Sequence, residues 1–390
     1  MHVFFSVGEP SGDQHAAHLI DELKRRVPGL QVSGFGGPLM EKSGFRSHYR
    51  LTDLAVMGIF RVIPLLWRFY KLIRQARRIL QQERPDAVVL VDFPGFNWWI
   101  ARKAKKLGIR VFYYLPPQLW AWGPWRIQRV RRFVDHVLCG LSFEQRWYEE
   151  RGVSAEYVGH PFFDEIQGHR LDQAFLDKWN AGEGRNVGVL PGSRHHEIAQ
   201  NWHIMVTCIR RLAERHPDTR FLVACYSEAH RKQCQQIVDE SGEDGSDLPI
   251  HLVVGKTPEV VEAADCCLMV SGSVSLEMLA RTTPAVVIYY WGWISGLLIR
   301  MLVTCKFCSL PNLMADRKIL PEFFPQGNGA PVIEKVTAHL SSWLDNDSEL
   351  EGVRAELKQL RADVLQTGAT ARTAAAIVRR LQPNPLERAA

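Results

Sequence analysis

The sequence predicts an α/β protein built as two doubly wound parallel-sheet domains. Three observations carry this. Short, apolar, β-rich runs alternate with helical stretches, the pattern of strands joined by crossover helices in a parallel sheet. The alternation stops in a more polar stretch over 163–185 and then restarts. The 390 residues exceed one ordinary domain and suit two.

In the first half, His2–Val7 is the opening strand, followed by a Gly/Ser turn and a helix through Arg26. Ala87–Asp92 is the next apolar run, then a Pro/Gly turn and a helix to Leu107; Arg110–Leu115 and Val134–Cys139 follow. The second half opens on Asn186–Leu190, then PGSRHHE and a long helix to His216; Arg220–Tyr226, Ile250–Val254, Ala264–Ser271 and Ala285–Tyr290 continue it. The stretch Thr282–Ile299 has no charged residue, but Pro284, Gly292 and Gly296 interrupt it. A strand followed from Trp291 by an apolar helix is therefore expected, not a membrane span. The expected domains are 1–170 and 171–345, with helices over 346–390 packing back on the first. Two such domains facing each other make a central cleft at the carboxyl ends of their strands, where open α/β sheets bind ligands.

Hydrophobic residues at 46% and charged residues at 23% allow two cores and argue against disorder. The charge is uneven. Residues 1–165 carry 24 Lys and Arg against 16 Asp and Glu, the remainder 24 against 26, so +8 and −2 within the total of +6. An anionic partner is expected at the first half. The N-terminus MHVFFSVGEPSGD reads as no export signal, and the eight scattered cysteines read as reduced thiols of a cytoplasmic protein. The lone pair Cys305 and Cys308 has no partner set for a metal and reads as small buried residues.

Five segments carry the chemistry. Gly8-Glu9-Pro10-Ser11-Gly12-Asp13 follows the first strand, and its small residues let a ligand approach, Gly12 among them. It also reads as a helix start capped by Asp13 or Ser11. Asp92 ends an apolar strand and either takes a proton from an attacking hydroxyl or caps the next helix. Gly192, Ser193 and Arg194, with Glu197 after them, offer backbone N–H groups and a guanidinium suited to a diphosphate, or else an ordinary cap beside a surface Arg. Ser271, Gly272 and Ser273 form a second anion cradle, and Glu277 either accepts from ribose hydroxyls or closes a capping box with Ser273. The fifth is Phe60–Gln82, with apolar residues at helical spacing, Arg68, Lys71, Arg74, Arg77 and Arg78 mostly on other faces, and no acid between Asp53 and Glu83. Leu65, Leu66, Trp67, Arg68, Phe69, Lys71, Leu72 and Ile73 would dock on an anionic membrane surface. The same helix also reads as core-packed with a solvated basic face. No nucleic-acid motif is present, Gly255-Lys256-Thr257 lacks the upstream glycine of a phosphate-binding loop, and Asp345-Asn346-Asp347 reads as a turn, so no metal site is expected.

Together these motifs resemble the lipid-A-disaccharide synthase family through most of the chain. GEPSGD, Gly36–Met40, Leu54–Ile59, Asp92–Asn97, Trp120-Ala121-Trp122, Gly159-His160-Pro161, LPGSR with Glu197, SGSVSLE and Ser309–Leu313 stand in family order. The resemblance implies a GT-B fold of two Rossmann-like domains and an inverting transfer without metal or cofactor. UDP-2,3-diacylglucosamine would be the donor and 2,3-diacylglucosamine 1-phosphate the acceptor, giving a β-1,6-linked disaccharide 1-phosphate and UDP. By the same resemblance Asp92 is the base, Arg194 and Ser271–Glu277 bind UDP, Asn312 is a further site residue, and Phe60–Gln82 docks on the inner face of the cytoplasmic membrane. A homodimer is left open. Pro116, Gln118, Gly95 and Tyr290 depart from the family pattern. The alternatives are another UDP-sugar enzyme of the same fold and a catalytically silent membrane-surface lipid binder.

Overall fold

The computed structural model describes residues 1–55, 62–182, 184–241, 248–290, 303–326 and 329–382, the side chains of 55 and 62–66 excepted. The apolar helix expected from Trp291 lies outside these. The chain divides into two compact units, Met1–Glu165 with Gln366–Ala390, and Ile166–Leu365.

The first unit holds seven strands: β1 (His2–Val7), β2 (Gln31–Gly36), β3 (Arg46–Arg50), β4 (Ala87–Val91), β5 (Arg110–Tyr114), β6 (His136–Cys139) and β7 (Ala155–Tyr157). Their order is β3-β2-β1-β4-β5-β6-β7 and every pairing is parallel. The chain leaves β1 toward one edge and returns at β4 to build toward the other. The switch point thus lies between β1 and β4, where the crevice of a doubly wound sheet opens. β1, β4 and β5 are buried along almost their whole length, as continuous apolar runs between two helical layers must be. One layer centres on Phe4, Leu80, Leu90 and Tyr113, the other on Phe5, Leu19, Val89 and Tyr114.

The second unit has six strands: β8 (Asn186–Leu190), β9 (Arg220–Cys225), β10 (Ile250–Val254), β11 (Cys266–Val270), β12 (Ala285–Ile288) and β13 (Glu322–Phe323), in the order β10-β9-β8-β11-β12-β13, again all parallel. Its switch point lies between β8 and β11. Trp202, Phe221 and Trp343 are among its largest fully enclosed side chains.

The expected tail of 346–390 divides. Asp347–Val364 stays with the second unit, its start capped by Asn346, which accepts from the Ser348 and Glu349 amides. Only Ala369–Leu381 returns to the first, packing Ala374, Ala376 and Ile377 against the helix Pro10–Arg26. No described helix is long and apolar enough to cross a membrane. Six of the eight cysteines are buried, and Cys305 and Cys308 are partly exposed.

Candidate active site

Asp92 stands one residue beyond the carboxyl end of β4, beside the first unit's switch point. It and Phe93 both take left-handed backbone at φ 45°. Non-glycine residues disfavour that conformation, so packing must hold it. The Phe93 ring lies over Gly8 at the end of β1, where any Cβ would meet it at 2.3 Å. This is why glycine opens the GEPSGD block. Phe93 also packs with Phe96 and with Phe69 of the helix Val62–Glu83. Burial and the nearby charge of Glu9 push the Asp92 carboxyl up to about 6, with His15 acting in the opposite sense. Its carboxylate makes no hydrogen bond or ion pair among the described residues. A carboxylate so placed is charged at neutral pH yet basic enough to accept a proton from a sugar hydroxyl.

The Asp92 main chain is tied down below. Asn97, fully buried, donates from Nδ2 to the carbonyls of Asp92 at 2.7 Å, Ser6 at 3.1 Å and Val91 at 3.2 Å, and accepts from Ser6 Oγ at 2.6 Å. The Tyr113 hydroxyl donates to the Asp92 carbonyl at 2.8 Å. The WAW block is anchored in the same unit: Trp120 Nε1 donates to Glu144 at 2.9 Å, and burial pushes the Glu144 carboxyl up to about 7. His160 is driven down to about 3 by burial and by His15, so it is neutral.

The first loop corrects two expectations. Neither Ser11 nor Asp13 caps its own helix, which starts after Glu9. Asp13 reaches instead to the Leu39 and Met40 amides, at 3.0 and 3.1 Å, and caps the short helix Pro38–Lys42. GEPSGD and GGPLM are thus one structural unit. Gly12 is buried, with Val7 and Val91 within 3.0 and 3.4 Å of an added Cβ. Its place is close helix-to-sheet packing and not an open ligand surface.

In the second unit Gly192, Ser193 and Arg194 follow β8, while Ser271, Gly272 and Ser273 follow β11, so the two segments flank that sheet's switch point. Of the Gly192 and Ser193 amides expected to be open, that of Ser193 is taken, and that of Arg194 with it. Both donate to Glu197 Oε2, at 3.0 and 3.2 Å, and Arg194 Nη1 pairs with Glu197 Oε1 at 2.7 Å. Gly192 sits at φ 118°, and a side chain there would meet Glu197 at 2.7 Å. The Arg194 side chain is two-thirds exposed, so part of its guanidinium still faces solvent. Gly272 and Ser273 are exposed, and Ser271 Oγ donates to the Cys308 carbonyl at 2.9 Å.

Glu277 is buried and accepts from Arg281 Nε at 2.5 Å, so the capping box with Ser273 does not form. Burial raises its carboxyl, opposed by Arg281. Asn312 is corrected more fully. It has no exposure, accepts from the Ile319 and Leu320 amides and donates to the Leu320 carbonyl and Glu322, all at 2.8 Å. With both ends of its amide committed, it shapes the loop rather than touching a ligand. Its partner Glu322 also accepts from the Cys308 and Ser309 amides and from Ser309 Oγ. Glu322 was not anticipated, since one acid in PEFFP carries no signal of its own.

The basic helix spans Val62–Glu83. Leu72, Ala76, Ile79 and Leu80 are buried, and Phe69 and Ile73 pack against the same core. Leu72, Phe69 and Ile73 therefore do not form a free membrane face as expected. Trp67 and Tyr70 are exposed and stacked, with Lys71 over Trp67 and Arg74 over Tyr70. Arg68 is exposed beside them, and the side chains of Leu65 and Leu66 lie outside the described residues.

A family model described as lipid-A-disaccharide synthetase matches residues 3–377. The chain belongs to the lipid-A-disaccharide synthase family. The lipid-A-disaccharide synthase of Anaeromyxobacter sp. (strain K) is 35% identical over 373 residues, 95% of each chain. That of Idiomarina loihiensis is 35% identical over 372 residues, covering 93% of this chain and 95% of its own. Among solved structures, the UDP-GlcNAc 2-epimerase from Neisseria meningitidis bound to UDP-GlcNAc matches with TM-score 0.63 and 11% identity, over 98% of this chain and 99% of that one. Acinetobacter baumannii MurG matches with TM-score 0.59 and 13% identity, over 97% and 99%. At such identity these two speak to the fold, which is GT-B. This member of the lipid-A-disaccharide synthase family is a glycosyltransferase.

Proposed function

We infer that the chain makes the lipid A disaccharide, moving 2,3-diacylglucosamine from UDP to the 6-hydroxyl of 2,3-diacylglucosamine 1-phosphate with inversion. Asp92 carries the reading: a buried carboxylate with a raised pKa at the carboxyl end of β4, held in a strained turn. It takes the proton as the acceptor oxygen attacks the anomeric carbon. The bond to the diphosphate breaks with the electron pair leaving on UDP. Arg194 and the segments 192–194 and 271–273 meet the charge that develops there, and preorganised donors lower such a barrier without a metal. The Arg194 side chain and the Ser193 and Arg194 amides then exchange part of their hold on Glu197 for the diphosphate. The exposed Trp67, Arg68, Tyr70 and Lys71 hold the first unit at the inner face of the membrane, where acylated substrates reside.

The test is Asp92→Asn, with product from both acylated substrates followed by mass spectrometry. We expect transfer to fall at least 1000-fold with the fold retained. In the unmodified protein kcat/KM rises with pH along an acid limb near 6 as the carboxylate loses its proton. Disaccharide formation by Asp92→Asn at the unmodified rate would refute the assignment. UDP release with a non-acylated acceptor instead would favour another UDP-sugar reaction, and absence of transfer by the unmodified chain would favour a silent lipid binder.

A further inference from the structure

We propose that Tyr113 is a positioning residue for the transfer, its hydroxyl clamping the main chain of Asp92 and so aiming the carboxylate. The proposal rests on the reading of Asp92 as the base.

The turn at Asp92 and Phe93 is held against its own preference, two consecutive non-glycine residues in left-handed backbone. What fixes it converges on one atom, the Asp92 carbonyl oxygen, which accepts from Asn97 Nδ2 and from Tyr113 Oη. The two donors are not equivalent. The Asn97 amide has two hydrogens and three carbonyls within reach, Ser6, Val91 and Asp92. Tyr113 has one hydrogen, and it goes to the Asp92 carbonyl.

The tyrosine is also rigid. It lies on β5, directly opposite Leu90 in the β4 ladder, and is fully buried. Its ring meets Trp98 edge to face at 5.5 Å. A phenylalanine would fill the same space, so packing alone does not require the hydroxyl, and a buried hydroxyl is costly unless bonded. Here the bond locks the left-handed turn. The charged and titratable groups around the carboxylate come from several elements: Glu9 after β1 and His15 on the helix Pro10–Arg26 act on it, and Glu144 on Ser142–Glu149 and Tyr113 itself feel its charge. Moving the carboxylate among them changes the pH at which it works.

The experiment compares Tyr113→Phe with Tyr148→Phe. Tyr148 is an equally buried tyrosine, but its hydroxyl donates to the Pro117 carbonyl, at 3.1 Å, and not to Asp92. For Tyr113→Phe we expect kcat to fall about tenfold or more, as small misplacements of a reacting group do. KM for both substrates should stay within about twofold, since positioning acts in the transition state. The acid limb of kcat/KM should move below its unmodified position, because a relaxed turn lets the carboxylate gain water. Tyr148→Phe should lower the melting temperature similarly and leave that limb in place. An unchanged kcat, or an unmoved acid limb, in Tyr113→Phe overturns the clamp. Retained transfer by Asp92→Asn overturns the underlying assignment of the base, separately from any result at Tyr113.

Discussion

At Asp92 catalysis and stability pull in opposite directions. The folded protein holds this carboxyl's proton up to about 6, while an unfolded chain releases it near the ordinary value of about 3.9. Between these values the folded state binds more protons, so stability falls as pH rises through the window and stays lower above it. At neutral pH the ionised group costs up to about 3 kcal/mol. Asp92→Asn should therefore raise the melting temperature at pH 8 and change it little at pH 4, where the folded carboxyl keeps its proton; a lower melting temperature at pH 8 would contradict this. Asp13 acts the other way. Its two charge-assisted bonds hold the Leu39 and Met40 amides, and Asp13→Ala leaves them without that acceptor. The expected loss is about 2 kcal/mol, read as a fall of several degrees in melting temperature. Asp13 shows what sequence can and cannot tell: its block was legible, but its partner stands 26 residues on, in another block.

At the scale of the element, the helix Val62–Glu83 divides its work between two faces. Leu72, Ala76 and Leu80 face the core, while Trp67, Arg68, Tyr70 and Lys71 remain exposed. Periodicity gave the helix and its basic face. It did not give the orientation, because an apolar stripe serves a core and a membrane equally well. Arg68→Gln with Lys71→Gln should weaken binding to anionic vesicles about tenfold or more at low salt, since each cation near such a surface is worth about 1 kcal/mol. The fold should survive. Leu72→Ala should do the reverse, costing about 2–4 kcal/mol of stability with little direct effect on vesicle binding. Cosedimentation and thermal melting on both variants would check the division. The strands followed a similar logic. The long apolar β1, β4, β5, β8 and β11 were plain, whereas β3, β7 and β13 are polar or very short edge strands. β2 was hidden by a Ser-Gly pair that reads as a turn, yet Gly34 is needed there because a Cβ would meet the Phe5 carbonyl at 2.1 Å.

Across the whole molecule, the chain starts and finishes in the same unit. Length and alternation predicted two domains, and the tail expected to return to the first was placed from 346, whereas the return begins at Gln366. Helical pattern alone cannot say which core a surface helix covers, and Asp347–Val364 covers the second. Asp164 is where the return is fastened. Its carboxylate accepts from the Gly368, Ala369 and Thr370 amides at 2.6, 3.3 and 3.1 Å, and from Thr370 Oγ at 3.2 Å, capping Ala369–Leu381 across some 200 residues of sequence. Arg372 adds a bond to the Val158 carbonyl at 2.9 Å, beside Gly159, where φ is 86°. Farther along, Arg379 and Arg380 pair with Glu156. These links make the last helix part of the first unit's core, since it buries Ala374, Ala376 and Ile377 against the helix that follows β1. Asp164→Ala should cost about 1–2 kcal/mol, and the cost should fall on docking of this helix before it falls on the sheet. Trypsin should then cleave at Arg372 and Arg379 several times faster than in the unmodified protein, at a temperature where both remain folded. Equal cleavage rates would mean that apolar packing alone holds the helix in place.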